Sequence, residues 1–172
     1  LDDFRLNQKA PDFTLKSTAG EEYNFSKMIE ESGKDWQLVI FFRGSWCPAC
    51  MEELKQFEEE KKYFDRQQIR LTTVTYDDRE KLENMVEEHG FTFPVLVDEN
   101  LDFLRAYDVH FHGEDAPYED HGTHGEPAYF LVDNEGKLLY QQRQTSPFGR
   151  PHPKELRKII QYIGKNLKQK PE

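Results

Sequence analysis

Apolar positions along the chain follow two rhythms, and their alternation lays out the elements. Gln37-Leu38-Val39-Ile40-Phe41-Phe42 is a nearly continuous apolar run, the pattern of a strand buried on both faces. Beyond it the period changes: Met51, Leu54, Phe57 and Phe64 mark one face of a helix running from Pro48 to about Gln67. Ile69 to Tyr76, rich in Thr and Val, predicts the next strand. Arg79 to His89 predicts a helix with Leu82, Met85 and Val86 inward and Gly90 as its stop. Phe93 to Val97 is a short strand and Leu101 to Tyr107 a short helix. Ala128 to Val132, the turn Asp133-Asn134-Glu135-Gly136 and Lys137 to Gln144 form a hairpin.

After a Pro/Gly loop from Thr145 to His152, Pro153 opens a final helix. Leu156, Ile159, Ile160, Ile163 and Leu167 recur along it at helical spacing. At the other end, Ala10 to Leu15, Ala19-Gly20 and Tyr23 to Phe25 predict an N-terminal hairpin. Ser26 is placed to cap a short helix through Glu31, closed by Gly33. One stretch, His110 to Glu126, breaks both rhythms: it is polar, Gly-rich and holds four of the six histidines. With strands and helices alternating and neither repeat nor linker in view, residues 1–172 are expected to form a single α/β domain.

Composition narrows the partners. The chain carries 23 Lys+Arg against 33 Asp+Glu, a formal charge of −10, which argues against a nucleic-acid surface. No apolar run approaches the length of a membrane span, so no membrane insertion is expected. The final helix carries Lys154, Arg157, Lys158, Lys165, Lys168 and Lys170, expected as its solvated face. No signal-like segment opens the chain, and a cytoplasmic location is expected. An extracytoplasmic one is the alternative if an upstream anchor or signal is missing from this chain.

The chemistry gathers at Trp46-Cys47-Pro48-Ala49-Cys50, which holds the only two cysteines of the sequence. A thiol at a helix N-terminus meets unpaired backbone N–H groups and the positive end of the helix dipole, both of which favour the thiolate. A bare C-x-x-C is also half a zinc site, but no second cysteine pair follows. Arg43, four residues before Cys47, is a cation within reach of that thiolate. The histidines His110, His112, His121 and His124, with Glu114, Asp115, Glu119 and Asp120, lack an assignable ligand spacing. No metal is assigned to them, and no cofactor to the chain. That segment is expected to border the site and shape partner choice.

The chain resembles thioredoxin-like thiol–disulfide oxidoreductases, most closely the redoxin (AhpC/TSA) branch and the TlpA/ResA-like proteins. The resemblance is carried by Ala10-Pro11-Asp12-Phe13-Thr14-Leu15, the Trp46 to Cys50 site and Phe93-Pro94-Val95-Leu96-Val97-Asp98. Glu126-Pro127-Ala128-Tyr129-Phe130-Leu131-Val132-Asp133 and Gly136 complete it. It implies a central mixed sheet flanked by helices, an N-terminal hairpin extension, and a His-rich insert (110–125) before a cis-proline strand.

It further implies Cys47 as the exposed attacking thiolate, Cys50 as the resolving thiol and Glu53 as its proton acceptor. Trp46, Pro48, Glu126 and a cis Pro127 would then face bound substrate. The buried aspartate that thioredoxins carry six residues before the first cysteine is Phe41 here, which shifts weight to Glu53. The expected partners are protein or small-molecule disulfides and thiols, with a thioredoxin-type electron donor. The alternative is a thiol peroxidase, but the peroxiredoxin signature Pro-x-x-x-Thr/Ser-x-x-Cys meets Ile40 and Gly44 counted from Cys47. Counted from Cys50 it meets Arg43 and Cys47. A non-catalytic metal- or protein-binding module is the remaining class.

Overall fold

The computed structural model describes residues 6–113 and 122–168. Its first half runs β1 (Thr14–Ser17), β2 (Glu22–Asn24), α1 (Phe25–Glu31), β3 (Trp36–Phe41), α2 (Pro48–Arg66), β4 (Ile69–Thr75) and α3 (Arg79–His89). The second half runs β5 (Val95–Val97), α4 (Asp102–Ala106), β6 (Phe111–His112), β7 (His124–Gly125), β8 (Ala128–Val132), β9 (Leu138–Arg143) and α5 (Pro153–Tyr162), ending in a π-helical turn over Ile163–Leu167.

A seven-stranded mixed sheet, ordered β2-β1-β5-β4-β3-β8-β9, forms the centre. β3, β4 and β5 are parallel neighbours, while β8 joins β3 antiparallel and β9 joins β8. Every residue of β3 is buried, as its apolar run requires. Alternation then assigns its side chains to two cores. Trp36, Leu38, Ile40 and Phe42 pack with Leu54, Phe57 and Phe64 of α2, Leu82 and Met85 of α3 and Leu156 and Ile160 of α5. Val39 and Phe41 face the opposite cluster, built with Phe13, Phe25, Phe103 and Phe130. Truncating any of these buried phenylalanines to Ala would cost about 3–5 kcal/mol through lost burial and the cavity left behind.

The departures from expectation have local causes. α1 is capped by Asn24, not Ser26: Asn24 accepts from Lys27 N at 3.0 Å, and Ser26 N is taken by Asp12 at 2.9 Å. β5 starts at Val95, because Pro94 has no N–H to give the ladder. Leu167, periodic in sequence, is 69% exposed, since the wider π turn shifts the phase of the last residues. Arg157 does not lie free in solvent: it bonds Glu60 at 2.7 Å and stacks on Tyr63. Lys168 likewise meets Asp133 at 3.4 Å, and Lys170 lies outside the described residues. The polar insert contains a paired ribbon, His112 opposite His124 and Phe111 opposite Gly125. Gly125 is required there: a Cβ would run into the Phe41 ring and Leu104.

Candidate active site

β3 delivers the chain to the site. Phe42 N still bonds Val74 O at 3.0 Å, after which the backbone turns through Arg43 to Trp46 and enters α2 at Pro48. The turn is anchored by Asp77, whose carboxylate accepts from Ser45 N at 2.8 Å and from the Ser45 hydroxyl. Gly44 permits it, because a Cβ there would strike the Trp46 indole. Cys47 is the N-cap residue of α2, its sulfur accepting from Cys50 N at 3.3 Å. Pro48 at the first helical position has no N–H to leave unsatisfied and is exposed.

The two sulfurs are driven apart in acidity. The Cys47 thiol is pulled down to about 5, first by the Cys50 side chain, then against burial by the Cys50 amide, Arg43 and Arg150. Burial pushes Cys50 well above the usual thiol value, with the neighbouring Cys47 adding to it. The pair is thus a thiolate followed, one turn on, by a thiol.

Two arginines serve it. Arg43, 1% exposed, reaches Cys47 Sγ with Nη1 at 3.5 Å. Its Nε is held by Glu126, at 3.1 Å from Oε2 and 3.4 Å from Oε1, and Nη2 meets His124 Nε2 at 3.3 Å. His124 Nδ1 lies 2.8 Å from Gly122 O, and its Nε2 also lies 3.3 Å from Glu126 Oε1. His112 Nε2 closes the cluster at 3.2 Å from Glu126 Oε1, and Trp46 stacks edge-on against His124, under the Arg43 guanidinium.

The other arginine is Arg150, on the loop between β9 and α5. Its Nη1 is 3.2 Å from Cys50 Sγ and 3.5 Å from Glu53 Oε1, and Nη2 is 3.6 Å from Cys47 Sγ. Nε folds back onto Pro147 O at 2.7 Å, which sets the angle of the fork. Glu53, on α2, also accepts from the Tyr129 hydroxyl of β8. Burial raises the Glu53 carboxyl above the ordinary range, opposed by Tyr129 and Arg150. Although burial works against its charge, Arg150 is held protonated above the ordinary arginine value by Cys50 and Glu53.

Of the residues singled out in the sequence, Arg43, Trp46, Cys47, Cys50, Glu53 and Glu126 converge. Glu53 is 4% exposed, so it is not a solvated partner of its exposed neighbour Glu52. Three expectations are corrected. Cys47 is not exposed: it is 1% accessible, enclosed beneath the turn and the arginines. Pro127 is not cis; no cis peptide bond occurs among the described residues, in line with the trans preference of X-Pro bonds. Nor is the backbone before it free to pair with a peptide: Glu126 N already donates to His110 O at 2.8 Å, and Pro127 O accepts from Gln144 N at 2.8 Å. Glu126 is fully buried and turned onto Arg43, not toward a docking edge.

His112, His124 and Glu126 do converge, yet the fixed charge of Arg43 lies against the last two, where a cation would have to compete with it. Among the described residues no group of three or more His, Cys, Asp or Glu is arranged to hold a metal. Glu114, Asp115, Glu119, Asp120 and His121 lie outside those residues. Arg150 and Tyr129 were missed in sequence. Tyr129 reads as one more apolar strand residue, and Arg150 as a lone cation in a Pro/Gly loop.

Comparison with known proteins identifies a family and a fold. The model of the AhpC/TSA family matches residues 6–141. The thiol–disulfide oxidoreductase ResA of Bacillus subtilis (strain 168) is 28% identical over 131 residues, 76% of this chain. That match spans 63% of the length of ResA, so this chain corresponds to less than two thirds of it. Peroxiredoxin Bcp of the same organism is 30% identical over 140 residues, covering 81% of this chain and 85% of the relative. Among solved structures, peroxidoxin BcpB from Mycobacterium tuberculosis superposes with a TM-score of 0.77 at 18% identity, over 93% of this chain and 98% of that one. At that identity the likeness speaks for the fold, a central mixed sheet flanked by helices.

Proposed function

The chain belongs to the AhpC/TSA family, and within it we propose that the protein is a thiol–disulfide oxidoreductase in which Cys47 attacks and Cys50 resolves. The observation that carries this is the placing of two sulfurs one helical turn apart, Cys47 Sγ at the N-cap of α2 accepting from Cys50 N and Arg43 Nη1, and Cys50 fully buried on the first turn. In that setting Cys47 is drawn down to about 5 and Cys50 held up. At neutral pH the first is the nucleophile and the second stays a thiol until a mixed disulfide forms. Cys47 Sγ attacks one sulfur of the substrate disulfide, and the far sulfur leaves as a thiolate. Cys50 gives its proton to Glu53, whose raised carboxyl suits it to a thiol. It then attacks Cys47 Sγ, forming the Cys47–Cys50 disulfide and expelling the second substrate thiol. A thioredoxin-type dithiol donor would return the pair to the reduced state.

Thiol peroxidase activity is the second reading, favoured by a specific feature: Cys47 is buried between two guanidiniums, a setting suited to a small oxidant. There Cys47 would be oxidised to the sulfenic acid by peroxide, releasing water. Cys50 would condense with it to the same disulfide, releasing a second water. The two readings separate in steady state. With an excess dithiol donor, turnover of a model protein disulfide is expected to exceed that of hydrogen peroxide. Catalytic peroxide consumption outpacing disulfide turnover would replace the first reading with the second.

A further inference from the structure

The two guanidiniums are not redundant. Arg43 is committed: Nε is spent on Glu126 and Nη2 on His124, leaving Nη1 for Cys47. Its backbone N–H donates to Cys50 Sγ at 3.4 Å. Arg150 is shared: one fork nitrogen bonds Cys50 Sγ and Glu53, the other Cys47 Sγ, with the shorter approach to Cys50. Its loop carries exposed Phe148 and Gly149, whereas Arg43 lies in the core.

We propose that Arg150 is a catalytic residue of the resolving step. Its guanidinium is divided between both sulfurs in the reduced protein and passes to Cys50 once Cys47 is held in a mixed disulfide. This rests on the dithiol reading above. When Cys47 Sγ bonds to a substrate sulfur its negative charge is gone, and Nη2 loses the ion it faced. Cys50 is then the sulfur that must ionise, in a buried place that opposes the charge. Arg150 is the cation already in contact with it. The proton leaves Cys50 for Glu53 beside the same Nη1, and the Cys50 thiolate attacks Cys47 Sγ. The bond from Cys47 to the substrate sulfur breaks, and the substrate departs with that electron pair and takes up a proton. Charge on Arg150 is conserved throughout; only the sulfur it faces changes. Arg43 by this division serves attack, and Arg150 resolution.

One equivalent of 5,5′-dithiobis(2-nitrobenzoate) mixed with the reduced protein tests the assignment. Attack by Cys47 releases one thionitrobenzoate, and resolution by Cys50 a second, so two phases are read in one experiment. Arg150→Gln is expected to slow the second phase on the order of tenfold, as one unit of thiol acidity corresponds to. Its pH midpoint should move upward, while the first phase, read well above the Cys47 midpoint where that sulfur stays ionised, changes by less than about threefold. Arg150→Lys is expected to recover part of the second phase, and a circular-dichroism melt matching that of the unaltered protein certifies that a variant is folded. A second phase in Arg150→Gln with unchanged rate and pH midpoint overturns the assignment while the dithiol reading stands. Release of a single equivalent by the unaltered protein overturns both.

Discussion

At the scale of single residues, both sulfurs are buried and both meet Arg150, while Cys47 alone also accepts from Cys50 N and from Arg43 Nη1. Arg43 is held in the core by Glu126 and His124, and its Nη1 bonds Cys47. Arg43→Gln removes that donor, so the pH midpoint of Cys47 alkylation is expected to rise from about 5 by on the order of one unit. A midpoint that stays in place would leave the Cys50 contacts and Arg150 as the source of the acidity. The split ionisation also sets how the redox couple follows pH. Between about 5 and the raised value of Cys50, reduction of the disulfide takes up one proton per two electrons. The equilibrium therefore changes tenfold per pH unit, and the potential falls by about 30 mV per unit. Below the Cys47 midpoint two protons are taken up and the slope steepens to about 59 mV. A potential measured against glutathione over a pH series checks this. A slope near the larger value throughout neutral pH would mean that Cys47 is a thiol there.

At the scale of elements, three pieces of backbone make the chemistry possible. β3 carries the apolar run that buries the site's floor, α2 is capped by Cys47, and the loop between β9 and α5 lays Arg150 over both sulfurs. Since Cys47 and Cys50 are 1% and 0% accessible, a bulky disulfide reaches them only if that loop moves aside. Arg150 holds the loop by charge, and disulfide formation cancels the thiolate it faces. Amide hydrogen exchange over residues 145–152 is therefore expected to be faster in the oxidised than in the reduced protein. Equal exchange in the two states would mean that the loop is held by something other than thiolate charge. The ribbon of β6 and β7 acts the other way: by pairing Glu126 N with His110 O it consumes the backbone that a peptide would need.

At the scale of the whole molecule, the same acidities become stability. Cys47 has a folded value depressed from 9.0 to about 5. Its contribution is fully present above the unfolded value and is lost as pH falls through the folded one, because the unfolded chain binds the proton first. Glu53 has the opposite sign: its folded carboxyl is raised, so ionising it costs stability as pH rises past the ordinary carboxylate range. Melting of the reduced protein from pH 5 to pH 9 is expected to show stability rising relative to Cys47→Ser, in which the thiolate term is missing. Parallel curves for the two proteins would show that Cys47 titrates alike folded and unfolded.

Much of this architecture was legible before any coordinates, because strand and helix periodicity record burial that each element imposes on its own sequence. The two-faced burial of β3, the run of α3 from Arg79 to His89 and the span of β8 from Ala128 to Val132 follow from spacing alone. The place of Cys47 at the start of α2 is equally local, and so is Arg43, whose four-residue separation from Cys47 keeps it within reach in a tight turn. Other features depend on where distant segments meet. Arg150 lies 103 residues from Cys47 and Glu126 lies 83 from Arg43; no pattern along the chain announces either contact. The burial of Cys47, the trans bond before Pro127 and the prior use of Glu126 N by His110 were likewise settled in three dimensions. The physical reason is common to all of them. Periodicity reports which face of an element is dry, whereas the partner of a buried charge or amide is chosen by packing between elements, where every desolvated group must find one.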